Sequence, residues 1–160
     1  NAGFTGVRLG WTVVPFGLEA DNAEVGTIHR LWNRRQCTYF NGASNISQAG
    51  GLMALSEEGR KECKSLVDYY LGNAKIIKEG LEKAGLVCYG GVNSPYVWAK
   101  APRGMGSWEF FDFLLEKAHV VVTPGAGFGK SGEGYVRVSS YGHREDVEKA
   151  VKAIVEHIND

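Results

Sequence analysis

Between Ser56 and Gly85 the chain holds one unbroken helical pattern, and its length limits what the protein can fold into. Leu66, Tyr70, Ile77 and Leu81 recur at helical intervals, and Val67, Tyr69, Leu71, Ala74 and Ile76 widen the stripe. Ser56 is a candidate cap, Glu57 and Glu58 fall where negative charge favours a helix start, and Gly85 stands where a left-handed residue closes one. Roughly 27 residues at about 1.5 Å each make a rod of roughly 40 Å. A helix of that length commonly joins two domains, so the boundary is placed on it. Residues 1–56 are expected to end a larger domain, 57–84 to form the bridging helix, and 85–160 to make a smaller C-terminal domain.

Before the helix, Arg8 to Val14 reads as a largely buried strand stopped by Pro15. With so much glycine and no strand before it, this stretch looks like an internal piece of a sheet, and the chain like the C-terminal part of something longer. Ile28, Leu31, Trp32 and Tyr39 then mark a helix whose other side carries Arg30, Arg34 and Arg35. The loop Asn41-Gly42-Ala43-Ser44-Asn45 interrupts it, and Ile46, Ala49, Met53 and Leu55 belong to the next helix. Beyond Gly85, strands are expected at Leu86–Cys88, Tyr96–Lys100, Val120–Val122 and Tyr135–Ser139. Helices from Ser107 and from Arg144 to His157 alternate with them. The fold class is therefore α/β, with three or four strands in the second half.

Composition removes several classes of function. Formal net charge is zero, so no global field draws in nucleic acid or an anionic membrane. No apolar run approaches a membrane span. Cys37, Cys63 and Cys88 fit neither a zinc motif nor a disulfide framework, so no metal is expected. Glycine is the unusual residue. Of the 22 glycines, 13 gather at Gly3–Gly10, Gly42–Gly51, Gly90–Gly91 and Gly125–Gly134, which points to tight loops built around a ligand.

Two of those clusters hold an arginine. Arg137 occupies the middle of the strand Tyr135–Ser139, just after the turn Thr123-Pro124-Gly125-Ala126-Gly127-Phe128-Gly129. A guanidinium there has the shape to grip a carboxylate through two hydrogen bonds; the plainer alternative is an edge-strand arginine facing water or a salt-bridge partner. Arg8 lies among Gly3, Gly6 and Gly10, near Thr5, where exposed backbone N–H groups and a fixed charge suit a phosphate. The alternative is a glycine loop packed on a sheet, with Arg8 paired to a structural carboxylate. Neither a Walker loop nor a dinucleotide fingerprint is present.

Arg8-Leu9-Gly10-Trp11 resembles the segment that follows the cofactor lysine in the fold type I pyridoxal-phosphate aminotransferases of class I/II. Thr123-Pro124-Gly125, Phe128-Gly129 and Tyr135-Val136-Arg137-Val138-Ser139 look like that family's C-terminal signature. The resemblance implies the end of a large-domain sheet plus a small α/β domain, with pyridoxal 5'-phosphate as cofactor. It assigns Arg8 to the cofactor phosphate and Arg137 to the α-carboxylate of the substrate. Asn1 to Pro15, Phe40 to Asn45 with Gln48-Ala49-Gly50-Gly51, and Pro95-Tyr96-Val97-Trp98 are most similar to the branch acting on LL-2,6-diaminopimelate and 2-oxoglutarate in lysine biosynthesis. In that branch Asn41 would reach into the partner subunit's site of a homodimer, toward the far end of the substrate. Gly17 and Glu24 depart from the plant pattern and favour a bacterial member.

Amino acids and 2-oxo acids are the implied partners, and the cytoplasm, or the stroma of a plant or algal plastid, the implied location. Another class I/II aminotransferase of aspartate or aromatic type, a related lyase, and an anion-binding fragment without chemistry are the alternatives. The lysine that carries the cofactor is expected directly before Asn1. Lys61, Lys64, Lys75, Lys78 and Lys83 all ride on the bridging helix and cannot replace it, so no catalytic residue is assigned within the chain.

Overall fold

The computed structural model describes Ala2 and residues 6–159; Gly3 and Thr5 of the proposed phosphate loop lie outside the described residues, with Asn1, Phe4 and Asp160. The chain divides into two compact units, Asn1–Lys64 and Ser65–Asp160.

The first unit contains helices α1 (Thr27–Tyr39) and α2 (Asn45–Leu55) and the beginning of α3 (Glu57–Lys83). Arg8 to Val14 is irregular and mostly exposed, against the expectation of a buried strand. A strand is stabilised through its ladder, and no segment of the described residues pairs with this one. Its end is tied to α1 instead: His29 Nδ1 donates to the Val14 carbonyl (2.9 Å), and the Phe16 and His29 rings lie 4.1 Å apart. The α2–α3 junction turns on Ser56. Its N–H donates to Met53 O (3.0 Å), ending α2, while its Oγ accepts the Gly59 N–H (3.0 Å), capping α3. A Cβ on Gly59 would run into the Met53 carbonyl.

The second unit is built on a four-stranded antiparallel sheet in the order β1-β2-β4-β3, with β1 Cys88–Gly90, β2 Tyr96–Lys100, β3 Thr123–Pro124 and β4 Tyr135–Ser139. Helices α4 (Ser107–Ala118) and α5 (Arg144–His157) complete it together with the later turns of α3. Its core takes Ala74, Ile77 and Leu81 from α3, Val97 and Ala99 from β2, and Val136 from β4. Phe110 and Leu114 of α4 and Ile154 of α5 close it.

Helix α3 ends where the sequence places its stop. Gly85 adopts φ +89°, its N–H returns to Glu82 O (3.0 Å), and the Leu86 N–H reaches Leu81 O (3.0 Å). This paired closure is the Schellman arrangement, and it explains why β1 begins later than the expected Leu86–Cys88 strand. Leu86 is spent on ending the helix and enters the core. A similar cost displaces the strand expected at Val120–Val122, none of whose residues pairs in the sheet. The Val120 N–H goes back to Leu114 O (3.1 Å) after the left-handed His119, and β3 forms only at Thr123–Pro124.

Candidate functional site

The register of the sheet decides where Arg137 points. Tyr89 pairs with Trp98, Trp98 with Arg137, and Arg137 with Thr123, so these four residues form one row across all four strands. Partners in an antiparallel ladder project to the same face. The neighbouring row of Ala99, Val136 and Pro124 faces the helices and is buried. Arg137 therefore stands on the face turned away from the core. Because β2 is flanked by β1 and β4, Tyr96 and Trp98 lie on an interior strand, not on an edge; they reach this face through the pleat.

Two aromatic rings hold the guanidinium. Arg137 Cζ lies 4.2 Å from the Tyr96 ring centroid and 4.5 Å from that of Phe128. Contacts of this kind contribute about 0.5–2 kcal/mol each, depending on exposure. Phe128 is itself braced edge-on by Trp98, with centroids 5.3 Å apart. Arg137 is half-buried, its Nε is fully buried without a hydrogen-bond partner, and no carboxylate pairs with it among the described residues. A desolvated cation normally has a counter-charge. A planar fork fixed on two rings and lacking an internal carboxylate is suited to an anion supplied from outside. The structure thus disfavours the salt-bridge alternative for Arg137.

The turn that delivers Phe128 is built on close backbone packing. A Cβ on Gly125 would strike the Gly132 carbonyl, and a Cβ on Gly132 would strike that of Gly125. Ser107, fully buried at the start of α4, ties the turn to β4. Its Oγ donates to Gly132 O (3.1 Å) and accepts the N–H groups of Ala126 and Tyr135 (both 3.3 Å). Glu133 accepts the Ser107 N–H (2.8 Å), so this carboxylate holds the helix start and does not face Arg137 as a counterion. The sequence shows Ser107 only as a helix-starting serine.

Below Tyr96 the aromatic contacts continue. Tyr141 stacks edge-on against Tyr96 (5.8 Å) and Tyr70 (4.7 Å). Burial pushes the Tyr141 phenol above its usual range, and Tyr96, Tyr70 and a hydrogen bond with Tyr96 add to the rise.

Arg8 and Asn41 are carried by the first unit, Arg137 by the second. Arg8 is exposed and makes no hydrogen bond or ion pair among the described residues, which leaves its donors free for an anion. Asn41 is exposed in the α1–α2 loop. Three of the five α3 lysines are paired along their own helix. Lys61, Lys75 and Lys78 lie 3.0, 3.7 and 3.9 Å from Glu57, Glu79 and Glu82 respectively, each pair four residues apart. Among the described residues there is no cluster able to hold a metal ion and no helix long and apolar enough to cross a membrane.

The sequence model of the family described as aminotransferase class I and II matches residues 1–154. The chain belongs to the class I and II aminotransferases. It is 53% identical over 156 residues to the LL-diaminopimelate aminotransferases of Phocaeicola vulgatus and Bacteroides fragilis, covering 96% of this chain and 38% of each relative. Against the LL-diaminopimelate aminotransferase structure from Chlamydomonas reinhardtii the TM-score is 0.87 at 49% identity, over 97% of this chain and 37% of that one. The aromatic aminotransferase of Pyrococcus horikoshii is more distant, at 25% identity and a TM-score of 0.69, over 86% of this chain and 37% of that one. The α/β, fold type I expectation therefore holds. Aminotransferases of this class depend in general on pyridoxal phosphate. The chain spans 38% of the length of the curated relatives it matches.

Proposed function

We propose that the chain serves an LL-diaminopimelate aminotransferase. The reaction moves an amino group between LL-2,6-diaminopimelate and 2-oxoglutarate, forming tetrahydrodipicolinate and glutamate, as a step of lysine biosynthesis in the cytoplasm. The observation that carries the reading is the half-buried guanidinium of Arg137, clamped by Tyr96 and Phe128 and without a carboxylate partner among the described residues. The 53% identity to enzymes of that name supports the choice of substrate.

In this reading Arg137 grips the α-carboxylate of each substrate through two parallel N–H donors, orienting the amino-bearing carbon. Arg8, exposed and without a partner among the described residues, takes the phosphate of pyridoxal phosphate. The cofactor, when bound, supplies an electron sink for the carbon that loses its proton. Asn41 completes the site of a second copy in a homodimer, offering an amide donor and acceptor to the distal end of the substrate. Residues 1–56 then belong to the cofactor domain, 57–84 bridge, and 85–160 carry the carboxylate arginine.

The test is competition between amino donors. The full-length protein with pyridoxal phosphate and 2-oxoglutarate is given equimolar LL-diaminopimelate, aspartate and phenylalanine. Glutamate is expected to form at the expense of LL-diaminopimelate; preferential consumption of aspartate or phenylalanine would overturn the substrate assignment.

A further inference from the structure

We propose that Tyr141, fixed in place by Asn73 of α3, is a positioning residue for carboxylate capture, because its ring backs Tyr96 and the Tyr96 ring backs the Arg137 guanidinium. The inference rests on Arg137 being the carboxylate-gripping residue.

Asn73 is fully buried on the apolar side of α3, between Tyr70 and Ile77. Its Nδ2 donates to the Ser140 carbonyl (3.1 Å) and the Gly142 carbonyl (2.9 Å). Those are the two carbonyls on either side of Tyr141. One side-chain amide thus sets the backbone from which the Tyr141 ring projects. The Ser140 N–H donates to Pro95 O (2.9 Å), joining the same segment to the residue before Tyr96. From there the chain of contacts is short: Tyr70 to Tyr141 at 4.7 Å, Tyr141 to Tyr96 at 5.8 Å, and Tyr96 to Arg137 Cζ at 4.2 Å.

One turn earlier on α3 a second fastening acts on the same segment. The Arg144 N–H donates to Tyr69 Oη (2.8 Å), Arg144 Nη2 donates to the Tyr69 carbonyl (3.1 Å), and the guanidinium lies 5.0 Å from the Tyr69 ring centroid. Gly72 makes room for it, since a Cβ there would fall 2.8 Å from Arg144 Nη2. Asn73 Oδ1 remains buried without a partner, a costly arrangement that an apolar residue would avoid. The amide is retained at that cost where its donors hold the backbone around Tyr141.

A purely structural contact would weaken all ligands alike, whereas a support for Arg137 acts on the carboxylate. Competitive inhibition constants for glutamate and for 4-aminobutyrate, which lacks the α-carboxylate, are therefore compared in the full-length protein with bound pyridoxal phosphate. Tyr141→Ala is expected to lower the preference for glutamate about 10-fold with cofactor content unchanged, and Tyr141→Phe, which keeps the ring contact and loses the hydrogen bond with Tyr96, to lower it by no more than about 3-fold. Asn73→Leu, which removes both donors at similar shape without burying a charge, is expected to match Tyr141→Ala and provides a second variant should the alanine protein not fold. Equal losses for both ligands, or an unchanged ratio in Tyr141→Ala and Asn73→Leu, overturn the positioning role. Arg137→Lys separates the two readings. If it collapses the ratio while the Tyr141 and Asn73 variants do not, the positioning role alone fails; if it leaves the ratio intact, the Arg137 assignment fails and the positioning role falls with it.

Discussion

Helices α2 and α4 are nearly equal in length, 11 and 12 residues, and both are rich in apolar side chains, yet their surroundings differ completely. Phe110 and Leu114 of α4 are 1% exposed; Ile46 and Leu52 of α2 are 80% and 75% exposed. The contrast extends to the whole of each unit. None of the buried apolar side chains among the described residues belongs to Asn1–Lys64, where Trp11, Val13 and Phe16 are also largely exposed. Burying one such side chain is worth about 1.5–3 kcal/mol. An apolar stripe therefore records a demand for a partner surface without saying which surface meets it. In Ser65–Asp160 the sheet of the same unit meets the demand. In the first unit no such surface is present among the described residues, in keeping with the proposed place at the end of a larger domain and near a second copy.

The largest effect that bears on this contrast concerns the units made separately. A fragment of residues 65–160 is expected to show a cooperative thermal transition by circular dichroism, and a fragment of residues 1–64 none. A sharp transition in the shorter piece would show that it holds a core of its own. Single substitutions sharpen the same point. Phe110→Ala should lower the urea-unfolding stability of the 65–160 fragment by about 3–5 kcal/mol. Ile46→Ala in the 160-residue chain should change stability by no more than about 0.5 kcal/mol. A large loss at Ile46 would mean that α2 is covered within the chain.

The units are also expected to divide the chemistry. Arg8→Ala in the full-length protein should weaken pyridoxal phosphate retention about 10-fold, measured by dialysis and cofactor absorbance, because one charge-assisted contact to the phosphate is lost. Unchanged retention would remove Arg8 from the phosphate site.

The smallest effect is at the cysteines. Burial, reinforced by Glu82, pushes the Cys88 thiol from 9.0 up to about 11, while Cys37 is exposed. Alkylation should reach Cys37 first and Cys88 only as pH approaches the raised value. The folded state holds the Cys88 proton longer than the unfolded chain does. Its contribution to stability is thus full below about pH 9 and lost as pH rises through about 11. Equal labelling rates at both thiols near pH 8 would contradict the buried setting.

Local rules carried much of this into the sequence. Ser56, Gly85 and the stripe through Leu81 place α3 from cap to closure, and Tyr135–Ser139 alternates as an interior strand does. Arg137 stands out because a permanent charge in a strand beside glycines is chemically conspicuous. Arg8 to Val14 misleads because β-forming residues say nothing about the presence of a ladder partner. Residues whose importance lies in distant contacts are invisible to local pattern. Phe128 belongs to a glycine turn by sequence, but only the fold lays its ring on Arg137. Asn73 leaves a faint trace as a polar residue inside an apolar stripe, and its bonds to carbonyls 67 and 69 residues away emerge only in three dimensions.

The most direct test is a comparison of Arg137→Lys with the parent in the full-length protein, measuring KM for the amino donor alongside cofactor absorbance. Lysine keeps the charge and loses the two-pronged geometry. A rise in KM of about 10- to 100-fold with the cofactor fully bound is expected. Unchanged KM would contradict the assignment of the clamped guanidinium to the substrate carboxylate.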